Sequence, residues 1–252
     1  MHRPPYLIGF LNLGHTIDHL MMLIFPTVVL TMAPVFGWGY DDMLKLSLGG
    51  FIAFGAGSIP AGWLGDRWSR RGMMIVYFIG IGGAAVLAGC AQSPWQLAAA
   101  LTLVGLFGAI YHPVGIAMLV KDEERVGRAL GINGIWGNLG VAFAALSAGG
   151  LAEFVGWRAA FIVPGLIVTA MGIGFACMVP PIAARSRRAT AARAALDHAT
   201  IVRVFVVLLV ATACGGVIFN ATTIAMPKVF DERLSALTQS TFGIGALVCA
   251  IY

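Results

Sequence analysis

The chain has 252 residues, of which 59% are hydrophobic and only 11% are charged, and its formal net charge is +5. Soluble globular domains contain about 25% charged residues, so this composition excludes a water-facing surface, and it also excludes disordered and collagen-like chains. The four cysteines stand singly in separate apolar runs, which excludes a disulfide framework. The composition therefore predicts an integral membrane protein.

Seven apolar runs are long enough to cross the bilayer as helices, which takes about 20 residues each. In chain order they are Tyr6–Val35, Met43–Leu64, Met73–Ala91, Gln96–Val120, Val126–Phe154, Ala159–Val179 and Ile201–Met226. An eighth run starts near Leu237 and is still apolar at Tyr252, which is too short for a full crossing. The runs predict an all-α membrane protein, and we expect the chain to be a fragment or truncated product that stops inside a helix.

The lysines and arginines predict the orientation. If the helices cross the membrane in alternating directions, most lysines and arginines lie on the same side as the N-terminus. The other side holds only Lys45, Arg158, Lys228 and Arg233. By the positive-inside rule the N-terminus is cytoplasmic, in an inner (plasma) membrane. The basic charge then contacts anionic lipid head groups, and we expect no nucleic-acid partner.

One polar stretch divides the chain. It covers Arg185–Thr200, is rich in Ala and Arg, and follows Pro180–Pro181, which end the sixth helix. We therefore predict an N-terminal six-helix bundle over residues 1–182, a cytoplasmic basic linker over 183–200, and an incomplete second bundle over 201–252.

The loop after the second run reads Gly62-Trp-Leu-Gly-Asp66-Arg67-Trp-Ser69-Arg70-Arg71. It resembles the cytoplasmic signature Gly-x-x-x-Asp-Arg-x-Gly-Arg-Arg of the major facilitator superfamily, with Ser69 in place of the usual glycine. The resemblance implies a major-facilitator-type six-helix bundle, the first one to two helices of a second bundle, and a transporter rather than an enzyme. It further implies a gate motif whose acid faces a helix N-terminus in the second half. The residues of that motif are Gly62, Asp66, Arg67, Arg70 and Arg71.

The first run carries His15, Asp18 and His19 in otherwise apolar sequence. Steps of about 100° place all three on one helix face, and a charged Asp18 facing lipid would cost roughly 2.5–3.5 kcal/mol. We therefore predict that Asp18 faces a cavity and carries the coupling proton, with His15 or His19 nearby. The alternative is a hydrogen-bonded polar cluster that only joins the first and fourth helices. His112 precedes Pro113 in the fourth run. Since the first and fourth helices line the cavity in this superfamily, the resemblance implies that His112 faces the same cluster.

The fifth run combines small and polar residues. Its glycines recur at steps of three and four, a pattern that favours close helix contact; they are Gly127, Gly131, Gly134, Gly137 and Gly140. Asn133 and Asn138 lie between them, and both are candidates for lining the cavity. Asn220 of the seventh run is a third candidate. The histidines and Asp18 could also supply metal ligands, but their spacing is unspecific, so we predict no metal and no cofactor.

Three segments resemble the fosmidomycin-resistance-type branch of the superfamily. They are Gly14-His15-Thr-Ile-Asp18, Tyr111-His112-Pro113 and, in the fifth run, Gly127-Arg128 with Gly137-Asn138-Leu-Gly140. The branch implies efflux. However, no Lys or Arg lies mid-span, so a strongly anionic solute would lack a partner.

The predicted function is secondary active transport of a small solute, as proton-coupled efflux. The predicted partners are the solute, protons, the bilayer and the missing C-terminal half. One alternative is a truncated membrane fragment that does not transport. Another is a seven-helix receptor or light-driven pump, but Ile201–Met226 lacks the lysine that retinal requires, and a cytoplasmic N-terminus argues against a G-protein-coupled receptor.

Overall fold

The computed structural model describes residues 5–121, 123–181 and 197–252, which form helices and connecting turns without strands. The helices in chain order are α1 Pro5–Phe36, α2 Tyr40–Arg67, α3 Arg70–Cys90, α4 Pro94–Val120, α5 Val126–Phe154, α6 Ala159–Met178, α7 His198–Arg233 and α8 Thr241–Cys249. The first seven are long and apolar enough to cross a membrane, which confirms the predicted fold class. Of the predicted linker, residues 183–196 lie outside the described residues.

The last two helices have ends that differ from those of the predicted runs. Helix α7 continues through Pro227 to Arg233, well beyond the predicted end at Met226. Helix α8 begins after Ser240 rather than near Leu237. The Ser240 hydroxyl accepts a hydrogen bond from an amide in the first turn of α8 at 3.0 Å, so it caps the helix.

Helix α4 changes its winding in its second half. Residues Tyr111–Gly115 form a π-helical turn around Pro113. Proline has no backbone donor and its ring crowds the preceding turn, so a widened turn accommodates it. The turn buries Tyr111 and leaves His112 half-buried. Turns of this kind are frequent at functional sites.

Helices α1 and α5 pack against each other at glycines. A Cβ atom added at Gly140 would lie 2.2 Å from the Thr16 carbonyl oxygen, and one added at Gly137 would lie 2.7 Å from the His15 ring. The expected close contact therefore exists at these two positions. The earlier glycines of the run, Gly127, Gly131 and Gly134, have no atom of another element within 4 Å of an added Cβ.

This difference between glycines predicts unequal effects of one substitution. We expect Gly140→Ala to lower the free energy of unfolding by about 1–3 kcal/mol, because the backbones of α1 and α5 must move apart. Gly131→Ala is the matched control and should change it by less than about 1 kcal/mol, in the stabilising direction, since alanine favours a helix. Unfolding in mixed micelles measures both values. Equal destabilisation by the two substitutions would contradict the packing described here.

Candidate functional site

Four polar side chains meet between α1 and α4, and we call them the α1–α4 cluster: His15, Asp18 and His19 of α1, and His112 of α4. The Nε2 atom of His112 lies 3.2 Å from the Asp18 carboxylate, and the Nε2 atoms of His15 and His19 are 3.2 Å apart. The His112 ring lies 5.2 Å from the ring of His15 and 5.8 Å from that of His19. The structure thus brings together His15, Asp18 and His19, which helical spacing placed on one face of α1. It also brings His112 beside them, as the resemblance implied.

The Asp18 carboxylate is the most deeply buried group of the cluster, with 1% of the residue exposed. Among the described residues, His112 is within ion-pair distance of it, and neither carboxylate oxygen accepts a well-aligned hydrogen bond. Gly108 of α4 lies beside the carboxylate, since a Cβ atom added there would be in van der Waals contact with Oδ1 at 3.4 Å. A buried carboxylate with so few donors is costly when charged, so it requires either a protonated His112 or a proton of its own.

His15 is held by groups on α4 and α5. Its Nδ1 lies 2.8 Å from the Asn133 carbonyl oxygen, and its ring stacks on Tyr111 with the ring centres 5.1 Å apart. Because a carbonyl only accepts hydrogen bonds, Nδ1 carries the hydrogen, and neutral His15 presents Nε2 as an acceptor. His19 is then the donor in the contact between the two rings. The arrangement fixes one tautomer of His15 and directs its free nitrogen into the cluster.

The supporting hydrogen bonds join Asn133, a predicted cavity candidate, to Asn12 and Tyr111, which sequence reasoning did not assign to the site. The Tyr111 hydroxyl donates to the Leu11 carbonyl at 2.6 Å. The Asn133 side-chain amide donates to Asn12 at 3.0 Å and to the Tyr111 hydroxyl at 3.0 Å. Tyr77 of α3 donates to another α1 carbonyl at 2.7 Å. The available signal was the presence of tyrosines in apolar runs, since a buried phenol needs a partner for its hydroxyl.

Two of the predicted asparagines do not join the cluster. Asn138 is exposed, and Asn220 is half-buried and donates to a carbonyl of its own helix at 2.9 Å. Asn138 follows Asn133 by five positions, which turns it by about 140° around α5 and away from α1. Helix α7 instead approaches through Phe219, whose ring lies 6.1 Å from the ring of His19. Asn138 and Asn220 thus lie outside the α1–α4 cluster, and their assignment to the cavity stays a prediction.

The three histidines each offer one nitrogen, and these atoms lie within 4.8 Å of one another. That spacing would permit a shared metal ion. However, the nitrogens of His15 and His19 contact each other, and that of His112 faces Asp18. Since the imidazoles already have these partners, we assign no metal ligands.

The gate motif lies at the end of the bundle where α2 meets α3. Asp66 pairs with Arg70 at 2.8 Å, and Arg70 also donates to the Ala117 carbonyl of α4 at 3.3 Å. The Asp66 side chain is 68% exposed. Among the described residues its partner is Arg70 in the first turn of α3. That Asp66 faces a helix N-terminus in the second half stays a prediction. Arg67 lies over the Trp63 ring at 5.1 Å.

Other members of the motif join α3 to its neighbours. Arg71 donates two hydrogen bonds of 2.5 Å to the Ala176 and Val179 carbonyls at the end of α6, where a cation is favoured. Gly62 allows α2 to approach Pro113, since a Cβ atom added there would lie 3.2 Å from it. Ser69 has extended backbone and accepts from the Gly72 amide at 3.0 Å, so it caps α3. Serine thereby gives α3 a defined start where the family pattern has glycine.

The family model of the Major Facilitator Superfamily matches residues 11–252. The chain belongs to the major facilitator superfamily. This confirms the resemblance carried by the loop motif, and it removes the seven-helix receptor or pump as an alternative. The superfamily and its named relatives are transporters rather than enzymes. With its seven apolar helices, this major facilitator chain is a multi-pass membrane protein.

Several relatives match parts of the chain. It is 28% identical over 188 residues to a probable actinorhodin transporter from Streptomyces coelicolor, a match that covers 70% of this chain and 32% of that protein. It is 33% identical over 110 residues to a puromycin resistance protein from Streptomyces alboniger (42% and 22%). It is 30% identical over 102 residues to a Na(+), Li(+), K(+)/H(+) antiporter from Planococcus maritimus (38% and 24%). The chain therefore spans about a third or less of the length of these relatives. The fosmidomycin-resistance-type branch stays a prediction.

Proposed function

We propose that this major facilitator chain takes part in the proton-coupled efflux of a small solute, with Asp18 as the group that carries the coupling proton. The observation that carries the proposal is the burial of this carboxylate beside His112, at 3.2 Å and without a second close polar partner among the described residues. His15 and His19 would complete the proton site, and Asn133 would hold His15 in place.

The chemistry of the pair explains how it would couple. While Asp18 is shut off from water, removal of the last proton from the Asp18–His112 pair leaves an uncompensated buried carboxylate, which is strongly unfavourable. The pair would therefore release that proton only when the cavity opens to water or when a solute takes its place. Proton entry driven by the membrane potential supplies roughly 2.3 kcal/mol per 100 mV, enough to drive uphill transport.

The cavity that this mechanism needs lies between two bundles. The α1–α4 cluster belongs to the first bundle, and α7 reaches it through Phe219. Alternating access in such transporters is a rocking of two bundles about a central site. We propose that a complete second bundle, of the kind that the greater length of the relatives provides, is the partner that closes the cavity.

The chemistry of the cluster and the relatives supports the choice of solute and direction. The cluster contains one carboxylate and three imidazoles, and no Lys or Arg, so it suits a neutral or cationic solute better than a strongly anionic one. The names of relatives as an actinorhodin transporter and a puromycin resistance protein support efflux. The basic residues at the α2–α3 and α4–α5 connections lie at one end, which supports a cytoplasmic N-terminus in the inner membrane.

Transport in proteoliposomes tests the proposal. The purified chain would be reconstituted with a pH-sensitive dye inside, and the movement of puromycin and of ethidium would be followed with and without a pH gradient. We expect movement of a probe that depends on the gradient and is accompanied by proton counterflow. If no probe moves more than in protein-free vesicles, the proposal is contradicted for this chain, and the alternative of a membrane fragment that folds without transporting is favoured.

A further inference from the structure

The C-terminal end of α5 is joined to the N-terminal end of α8 by one carboxylate. Glu153 lies one residue before the end of α5. Its Oε2 atom accepts hydrogen bonds from the Ser240 hydroxyl at 2.7 Å and from the Phe242 backbone amide at 2.9 Å. The same hydroxyl caps the first turn of α8. Glu153 therefore contacts both the capping residue and a free amide of the helix that it approaches.

The backbones of α5 and α8 also touch each other near this contact. A Cβ atom added at Gly149 would lie 2.4 Å from the Thr241 carbonyl oxygen, and one added at Gly245 would lie 2.3 Å from the Ala145 carbonyl oxygen. Helix α8 packs more extensively on α5 than on α7, although it directly follows α7 in the chain. Helices α5 and α8 are thus in close backbone contact at this end.

Within the described residues, the gate motif at the other end makes no matching bond to α7 or α8. There, Asp66 pairs with Arg70, Arg70 donates to the Ala117 carbonyl of α4, and Arg71 donates to carbonyls at the end of α6. All these partners lie within the first six helices. Within the part of the chain that the structure describes, the first bundle is therefore joined to α8 at the Glu153 end, and the gate-motif end makes no such bond.

We propose that Glu153 is a gate residue that closes the end of the cavity opposite the gate motif by holding the N-terminus of α8 against α5. The place of this contact in the transport cycle rests on the proposed function, because alternating access requires the two bundles to separate at this end. The first amides of a helix have no partners within it and favour a negative charge, which suits them to bind a carboxylate. Glu153 is exposed, so water replaces its hydrogen bonds when the helices part. The contact is therefore reversible.

Distances across the gate test this role in the chain as it exists. Spin labels would be placed at Val155 and Leu237, which are 70% and 72% exposed and flank the contact, in a background without the native cysteines. Double electron–electron resonance in lipid nanodiscs then reports the separation of α5 and α8. We expect one short distance in the parent. Glu153→Ala removes the acceptor of two hydrogen bonds. Because both are exposed to water, we expect the fraction of a longer distance to rise by about threefold to tenfold, the net effect of one ordinary hydrogen bond.

Two further variants make the outcome decisive. Glu153→Gln keeps an acceptor oxygen without the charge, and it should give an intermediate fraction. Glu232→Gln alters an exposed acid at the end of α7 that pairs with Lys228 at 3.4 Å, and it should leave the distances unchanged. Identical distributions for Glu153→Ala and the parent, with both proteins monodisperse, would overturn the gate. The measurement uses neither a solute nor a proton gradient, so its failure is distinct from failure of the proposed function.

Discussion

Asp18→Asn is expected to abolish transport driven by a pH gradient while leaving membrane insertion and yield intact. The amide has nearly the same size as the carboxylate and fits the space beside Gly108, but it cannot take up and release a proton. Solute movement down its own gradient can persist in the variant. The measurement is proton counterflow in proteoliposomes, reported by a dye inside the vesicles.

The matched control for this substitution is Asp66→Asn. Asp66 is an exposed acid that pairs with Arg70 outside the α1–α4 cluster, so its loss should leave coupling to the pH gradient in place, whatever its effect on the rate. Flux in Asp18→Asn that responds to the pH gradient as strongly as in the parent would remove Asp18 from the mechanism.

His112→Ala is expected to destabilise the fold, because it removes the one basic group within ion-pair distance of Asp18 among the described residues. Losing one partner of a fully buried pair costs about 3–5 kcal/mol; we expect about 1–3 kcal/mol here, because His112 is partly exposed. Unfolding in mixed micelles measures this loss.

A double-mutant cycle separates this electrostatic effect from lost packing. In the Asp18→Asn background, His112→Ala should cost markedly less, because no buried charge is left behind. His19→Ala is the control: it removes an imidazole of the same cluster that is not within ion-pair distance of Asp18. Additive costs for Asp18→Asn and His112→Ala would show that the two side chains are not coupled.

The membrane fold was predictable because its signals are local. Apolar runs fix where helices cross, and the loop motif after the second run identifies the family. The shared face of His15, Asp18 and His19 follows from helical spacing alone. The same spacing turns Asn138 by about 140° from Asn133, so the two asparagines lie on different faces of α5.

The rest of the site depends on contacts between distant parts of the chain. The bond from the Tyr111 hydroxyl to the Leu11 carbonyl joins residues 100 positions apart, and no local pattern indicates it. The π-helical turn of α4 was not predicted either, since a proline can also end or kink a helix. Glu153 is an ordinary polar residue near a helix end until α8 is placed beside it.

The most direct test of the central claim is to observe the Asp18 carboxyl group itself. Infrared difference spectroscopy of the purified chain in lipid, recorded as a function of pH, detects the carbonyl band of a protonated carboxylic acid. The band of Asp18 is the part of the signal that Asp18→Asn removes. We predict a band that appears and disappears reversibly with pH. A carboxyl group that stays in one protonation state throughout the pH range in which the protein is folded would contradict the account.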